Sequence, residues 1–555
     1  MNPILTFALL GGLLAGPPPS VAEDAADLVL RRGRFYPVST QEPINGSLAI
    51  RAGRISYLGP DEGLEGQIGP GTKVVDLAGR AVTPGWIDAH SHLSDLGGAL
   101  EQVDLIGTTS YQQVIGRIAE AARQLPPGTW IRGRGWDQND WQVQRLPTNI
   151  DLDAAVPNHP VWVTRIDGHA ALLNGKALEL LGAEEGIEDP PGGRFLRTEE
   201  GSLTGVLIDA AMSIASGLPE AAPEDIERWI LKGAEHCLVR GLTTVTEMGV
   251  DAETHAAYQR LRDGNRLPIR AAIFLSDQDE LLEEWFARGP ALDAEARLQT
   301  RGIKMYGDGA LGSRGAALLE PYSDDPGNLG LLQTSSDHVV TVCEQALEKG
   351  FQIGIHAIGD RGALMALDGF ERCFERARPE ARFRIEHAQV MRVSDIERMA
   401  GLGLIASVQP THATSDMPWA EDRVGAHRIQ GAYAWRKALE AGALLALGSD
   451  FPVERAAPLL GFYAAITRQD LSGSPAGGWR PEERLTREEA LRGFTLDAAY
   501  SLFLEGELGS LEVGKRADLV VFAGDPMVVP ANQLSELEID LTLVDGDIVY
   551  EREAR

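Results

Sequence analysis

Hydrophobic and polar positions change rhythm twice along this chain. Residues 27–83 alternate short β-rich runs with glycine-punctuated turns, as in Leu28-Val29-Leu30, Ser47-Leu48-Ala49-Ile50 and Lys73-Val74-Val75-Asp76-Leu77. The C-terminal end has the same texture: Ala517–Phe522 and Leu541–Val544 read as strands, and Gly546 marks a turn before Ile548-Val549-Tyr550. Between these ends, short apolar runs alternate with stretches of helical period. Eight runs predict strands: Val82–Ala89, Thr243–Glu247, Ile269–Leu275, Gly302–Tyr306, Gln352–His356, Phe383–His387, Leu404–Val408 and Leu444–Gly448. The intervening stretches, such as Pro223–Arg240, Ser336–Lys349 and Val393–Ala400, predict helices.

Eight β-then-α units are the arithmetic of an α/β fold of the (β/α)₈ TIM-barrel type. The spacing is regular except once. About 150 residues separate the first two runs, too many for one crossover, which predicts an inserted subdomain over roughly 100–225. The two similar ends predict one small β-sandwich domain, built from residues 23–82 and 506–555 and flanking a barrel over 83–505. The βα alternation is the one internal repeat.

The first 22 residues read as a signal peptide. Ile4 to Ala15 is apolar, Pro17 to Pro19 break the run, and Ser20-Val21-Ala22 offers a small-residue cleavage site, although the start carries no Lys or Arg. The run is short for a bilayer span. A secreted or periplasmic protein without stable membrane insertion after cleavage is expected.

Composition narrows the partners. Hydrophobic residues make up 44% and charged residues 24% of the 555, an ordinary globular balance. Acidic residues outnumber basic ones 81 to 51, a formal net charge of −30. Such a field repels phosphate backbones and argues against nucleic acid, leaving a small-molecule substrate. The three cysteines, Cys237, Cys343 and Cys373, have no metal-finger spacing and are too few for a disulfide framework, so they are expected as buried structural residues. A homodimer is expected on base rate alone.

The chemistry lies at the ends of the predicted strands. In Asp88-Ala89-His90-Ser91-His92, residues two apart share a strand face, so His90 and His92 can approach one metal together. Lys304, His356, His387 and Asp450 fall at or near the C-terminal ends of strands four, five, six and eight. That is the barrel face where active sites form. Imidazole and carboxylate suit Zn²⁺, with Mn²⁺, Fe²⁺ and Co²⁺ as further candidates for one or two divalent sites. A protonated lysine cannot ligate a cation. Lys304 therefore either becomes a CO₂-derived carbamate able to bridge two metals or pairs with Asp308 nearby. Bound metal would activate water, with Asp450 taking its proton and delivering it to a leaving nitrogen.

The motifs TPGWIDAHSH, GRGWDQNDW, RIDGHAALLN, IKMYGDGALGSRGAAL, IGIHAIGDR, RIEHAQ and LGSDFPV occur in this order. On them the chain resembles the amidohydrolase superfamily, and within it the YtcJ-like, or amidohydrolase-3, branch that includes N-substituted formamide deformylases. The resemblance implies that His90 and His92 bind the more buried metal, that carboxylated Lys304 bridges two metals, and that His356 and His387 bind the second. It implies that Asp450 ligates metal and acts as general base. Gly315 departs from the Thr or Ser expected after the arginine in this branch.

Further candidates each carry two readings. By resemblance, Asp167 and His169 meet the substrate over the barrel mouth; otherwise they belong to a hydrogen-bonded loop. Trp136 and Asp137 line the pocket, or Trp136 anchors packing. Asp308 and Arg314 hold a substrate carboxylate or pair with each other. His412, after strand seven, is a candidate oxyanion contact. The function expected is cleavage of an amide, formamide or carbamate C–N bond. The alternatives are a one-metal hydrolase of N-acyl amino acids or esters and a non-catalytic secreted binding protein.

Overall fold

The computed structural model describes residues 25–64, 66–218, 221–374 and 380–553. The expected leader over 1–22 lies outside the described residues. Eight parallel strands form the central sheet in chain order: β1 (Trp86–Ser91), β2 (Leu242–Val250), β3 (Arg270–Ser276), β4 (Leu298–Tyr306), β5 (Gln352–Ala357), β6 (Arg384–His387), β7 (Ile405–Val408) and β8 (Leu445–Leu447). The sheet curls until its edges meet. Beyond β8, the Asp450 N–H donates to the His90 carbonyl at 2.7 Å, and the His92 N–H to the Phe451 carbonyl at 2.8 Å. The fold is a nearly closed (β/α)₈ barrel.

These strands are buried on both faces, so they read as apolar runs rather than as polar–apolar alternation. Ala271, Ile273 and Leu275 of β3 pack outward against the helices, while Ala272 and Phe274 fill the barrel interior. The helix Pro223–Leu238 shows how the outer layer forms. Proline sits at its first turn, and Ile226, Ile230, Ala234, Cys237 and Leu238 make one buried stripe. It packs closely on the helix Leu93–Ala99: a Cβ at Gly97 would lie 1.8 Å from the Trp229 carbonyl oxygen.

The run expected as one strand over Val82–Ala89 is two. Ala81–Pro84 belongs to the β-domain, and β1 begins at Trp86. Gly85 turns the chain between them, where a Cβ would lie 2.1 Å from the Thr243 hydroxyl oxygen. The β-domain joins both chain ends in one connected eight-stranded sheet. Val82, Thr83 and Pro84 pair antiparallel with Val521, Val520 and Leu519. Leu519 and Val521 enter the domain's own core, and Val520 and Phe522 face the barrel.

The insertion carries a separate six-stranded sheet, from Val103–Asp104 to Leu203–Asp209, with its own apolar core around Ile118, Ile131, Trp136 and Val163. It folds between β1 and β2 and covers the C-terminal mouth of the barrel. Cys343 and Cys373, on the helices Ser336–Lys349 and Asp360–Phe374, form a disulfide, and Cys237 is buried and free. The sequence expectation of buried structural cysteines left this pairing out, because a separation of 30 residues carries no pairing signal.

Candidate active site

Period-two alternation points Lys304, His356 and Glu386 into the barrel, since Ile303, Met305, Ile355 and Ile385 pack outward. His387 would then face away. It does not, because its backbone takes φ +72° and Ala388 takes φ +40°, which turns His387 back toward the centre. Asp450 has φ +60°. Such backbone is costly for residues with a side chain and concentrates at functional sites.

The result is a cluster of buried donors. One ligand atom each from His90, His387 and Asp450 lie within 4.8 Å of one another. Asp450 Oδ1 is 3.2 Å from His92 Nε2 and 3.4 Å from His90 Nε2, yet it has no hydrogen-bond partner. The ring of His387 lies 4.7 Å from that of His90 and 4.5 Å from that of His356. Lys304 Nζ is 3.2 Å from His90 Nε2. Among the described residues no carboxylate forms an ion pair with Lys304, so the pairing with Asp308 does not form.

The outer nitrogens of the rings are all fixed. His90 Nδ1 meets Glu386 Oε2 at 2.6 Å, His92 Nδ1 the Met248 carbonyl at 3.1 Å, and His387 Nδ1 the Gln409 Oε1 at 2.8 Å. Each of these rings is left with its Nε2 lone pair for a cation. His356 is reversed: its Nε2 meets the Gly309 carbonyl at 3.3 Å, which frees Nδ1. Burial, together with Lys304, pulls the His90 imidazolium down to about 4, so the ring is neutral. Burial resists ionisation of Asp450, but His90, His92 and His387 outweigh it and hold the carboxyl well below its usual range. Burial also pulls the Lys304 ammonium down to about 8. Neutral imidazoles, an anionic carboxylate and an orphaned buried oxygen are the donor set of a divalent cation site. The residues fit the metal.

The cluster opens into a cavity of about 970 Å³, which the insertion walls on one side. Asp137 and Asp167 line it, but both bond the buried Arg165, so they take part in a loop network. Trp136 is fully buried in the insertion core and donates to the Val163 carbonyl at 3.0 Å, away from the cavity lining. Asp308 accepts from the Ile358, Gly359 and Ala317 N–H groups. Arg314 pairs with Asp324 at 2.8 Å. The two do not meet each other, and neither lines the cavity. His412 does line it, with Nε2 buried, unpartnered and 3.8 Å from Asp450 Oδ2. His169 lines it beside His356. Sequence reading passed over Glu386, Gln409 and Asp209. Glu386 sits in the RIEH motif next to a ligand and could have been found; the other two meet their histidines only in space.

An α/β barrel with imidazoles and a carboxylate converging at its C-terminal mouth defines a metal-dependent hydrolase. The Amidohydrolase family profile matches residues 73–550, and the chain belongs to that family. It is 34% identical over 513 residues to "Protein LONG AFTER FAR-RED 3" of Arabidopsis thaliana, covering 90% of this chain and 87% of that protein. It is 32% identical to "Putative amidohydrolase YtcJ" of Bacillus subtilis over 94% of this chain and 98% of that one. It is 28% identical to the N-substituted formamide deformylase of Arthrobacter pascens, over 95% and 98% of the two chains. A metal-dependent hydrolase from Pyrococcus horikoshii superposes with a TM-score of 0.74 at 30% identity, covering 91% of this chain and 99% of that one.

Proposed function

We propose that this protein hydrolyses a C–N bond of a small molecule, an amide, formamide or carbamate, using zinc held by His90, His92, Lys304, His356, His387 and Asp450. The observation that carries the reading is the buried Asp450 Oδ1, without a hydrogen bond and faced by the Nε2 atoms of His90 and His92. In this reading Lys304 would be carboxylated, which would give it the anionic oxygens needed to help hold divalent cations. Its support is an ammonium fully buried among imidazoles that forms no ion pair with a carboxylate among the described residues. Bound divalent cations would lower the pKa of water and polarise a carbonyl.

The chain's own residues supply the rest. Asp450 accepts a proton from the attacking water as its oxygen bonds the carbonyl carbon. It gives that proton to the nitrogen as the C–N bond breaks, releasing an acid and an amine. His412 Nε2, unpartnered in the cavity wall beside Asp450, would meet the carbonyl oxygen. The likeness to a formamide deformylase supports a C–N bond as target. The leader-like residues 1–22 support export, and the net charge of −30 supports a small molecule rather than nucleic acid. No helix of the described residues is long and apolar enough to cross a membrane.

Two measurements on the purified protein test the reading together: divalent metal per chain, and turnover on matched formamides, N-acyl amines, carbamates and esters. About two ions per chain with C–N cleavage is the expected result. Esterase activity alone overturns the substrate class. Absence of metal after incubation with Zn²⁺ and bicarbonate overturns the chemistry.

A further inference from the structure

The insertion contributes one polar ring to the wall beside the donor cluster. The ring of His169 lies 5.5 Å from that of His356 and borders the cavity. Its Nδ1 meets Asp209 Oδ1 at 2.8 Å, and the Asp209 N–H donates to the His169 carbonyl at 3.0 Å. The two residues are thus fastened twice, at the end of the antiparallel pair Ala170–Leu173 and Leu203–Asp209.

Asp209 is an expensive residue to keep here. Its side chain is 1% exposed, its backbone takes φ +46° and ψ −121°, and its Oδ2 has no hydrogen-bond partner. Room for that oxygen comes from the loop after β4. A Cβ at Gly315 would lie 2.6 Å from Oδ2, and one at Gly309 3.1 Å. Gly315 is the position that departs from the branch pattern. A strained, buried carboxylate in a slot between two glycines does nothing for packing that an apolar side chain would not do better. What it does is hold one tautomer and one orientation of His169. Burial works against the His169 imidazolium, but Asp209 outweighs it and holds the ring above its ordinary value. Once the ring is neutral, with Nδ1–H given to Asp209, its Nε2 lone pair is the one turned to the cavity.

We propose that His169 Nε2 accepts a hydrogen bond from an N–H on the scissile nitrogen, with Asp209 as its positioning residue. The substrate class follows: secondary amides, N-monosubstituted formamides or N–H carbamates, in preference to tertiary amides and esters, which have no such hydrogen. This rests on the hydrolase reading above. A site built to accept a particular hydrogen discriminates against analogues lacking it, because its own buried acceptor is then left unpaired.

The test compares kcat and KM for an N–H substrate, its N-methyl counterpart and the matching ester. It uses metal-loaded wild type, His169→Ala, His169→Gln and Asp209→Asn, with metal content and thermal unfolding measured on each. Wild type should favour the N–H compound over the N-methyl one by at least ~10-fold in kcat/KM. His169→Ala should lose on the order of 10²-fold on the N–H compound and little on the other two, erasing the preference at unchanged metal content. Asp209→Asn should move the same ratio in the same direction by less, and His169→Gln should recover part of it. Equal losses on all three compounds, or a preference that survives in His169→Ala, overturn the proposal while leaving the hydrolase intact. Failure of wild type on every compound removes both readings.

Discussion

Glu386 Oε2 lies 2.6 Å from His90 Nδ1, and both side chains are buried. That contact sets which nitrogen of His90 faces the site. Arg384 Nε meets the other Glu386 oxygen at 2.8 Å. Burial pushes the Glu386 carboxyl up, but Arg384 and His90 outweigh it and keep it ionised, below the usual carboxylate range. Glu386→Gln should therefore act twice. Metal affinity should fall ~10–100-fold, because a ligand loses its orienting partner. Stability should fall by ~3–5 kcal/mol, because Arg384 is left as an uncompensated charge in the barrel interior. Chelator competition and chemical denaturation read the two effects separately.

Most of the barrel was legible because its strands are apolar on both faces and end in polar residues. Ile353-Gly354-Ile355-His356 shows both features in four residues. His387 was legible as a strand-end histidine, but not the positive φ that turns it inward beside Glu386. The insertion was legible only as excess length. Its strands are short and its sheet order is non-sequential, so Asp209 reaches His169 across 40 residues that no periodicity connects. Trp136 was legible only as a choice between pocket wall and packing anchor, and it takes the second, filling the insertion core.

Asp450→Asn keeps the shape of the side chain and removes its capacity to carry a proton. Turnover should fall by ~10²–10⁴-fold. The Asp450 backbone bond to His90 is untouched by the change, so the melting temperature should stay close to that of wild type. Activity near wild type would remove Asp450 from the proton path.

Lys304→Met preserves bulk and cannot be carboxylated. Metal content should drop from about two ions per chain to about one, and turnover should lose any dependence on added bicarbonate. Two ions retained in the variant would show that Lys304 does not bridge them.

The β-domain is tied to the barrel by a charge cluster that makes stability depend on pH. Arg270 bonds Asp518 at 2.7 and 2.9 Å and also pairs with Asp545, while Arg516 meets Asp545 at 2.8 Å. Burial pushes the Asp545 carboxyl up, but Arg270, Arg516 and Arg297 outweigh it and hold it below its ordinary 3.8. A carboxyl depressed in the folded state stabilises fully above its unfolded value, and that contribution is lost as the pH falls through the folded value. Asp545→Asn should cost ~3 kcal/mol at pH 7. The gap between wild type and variant should narrow below about pH 4. A gap that stays constant on acidification would assign Asp545 a packing role instead.

The disulfide ties the cysteine chemistry to the compartment. Cys343 and Cys373 close a loop of 30 residues between two barrel helices, and Cys237 is the free thiol among the described residues. The protein unfolded without reductant should titrate about one thiol per chain, rising to three of three cysteines after reduction. Replacing Cys343 and Cys373 together by serine should cost ~3–4 kcal/mol from loop closure alone, somewhat more if the buried hydroxyls find no partners. Such a bond persists only in an oxidising compartment. The thiol count on protein recovered from its native compartment therefore tests export by a route independent of the leader. One reactive thiol fits a secreted or periplasmic enzyme. Three reactive thiols before any reductant is added would place the mature chain in a reducing environment and overturn the export reading, with the barrel and its metal site unaffected.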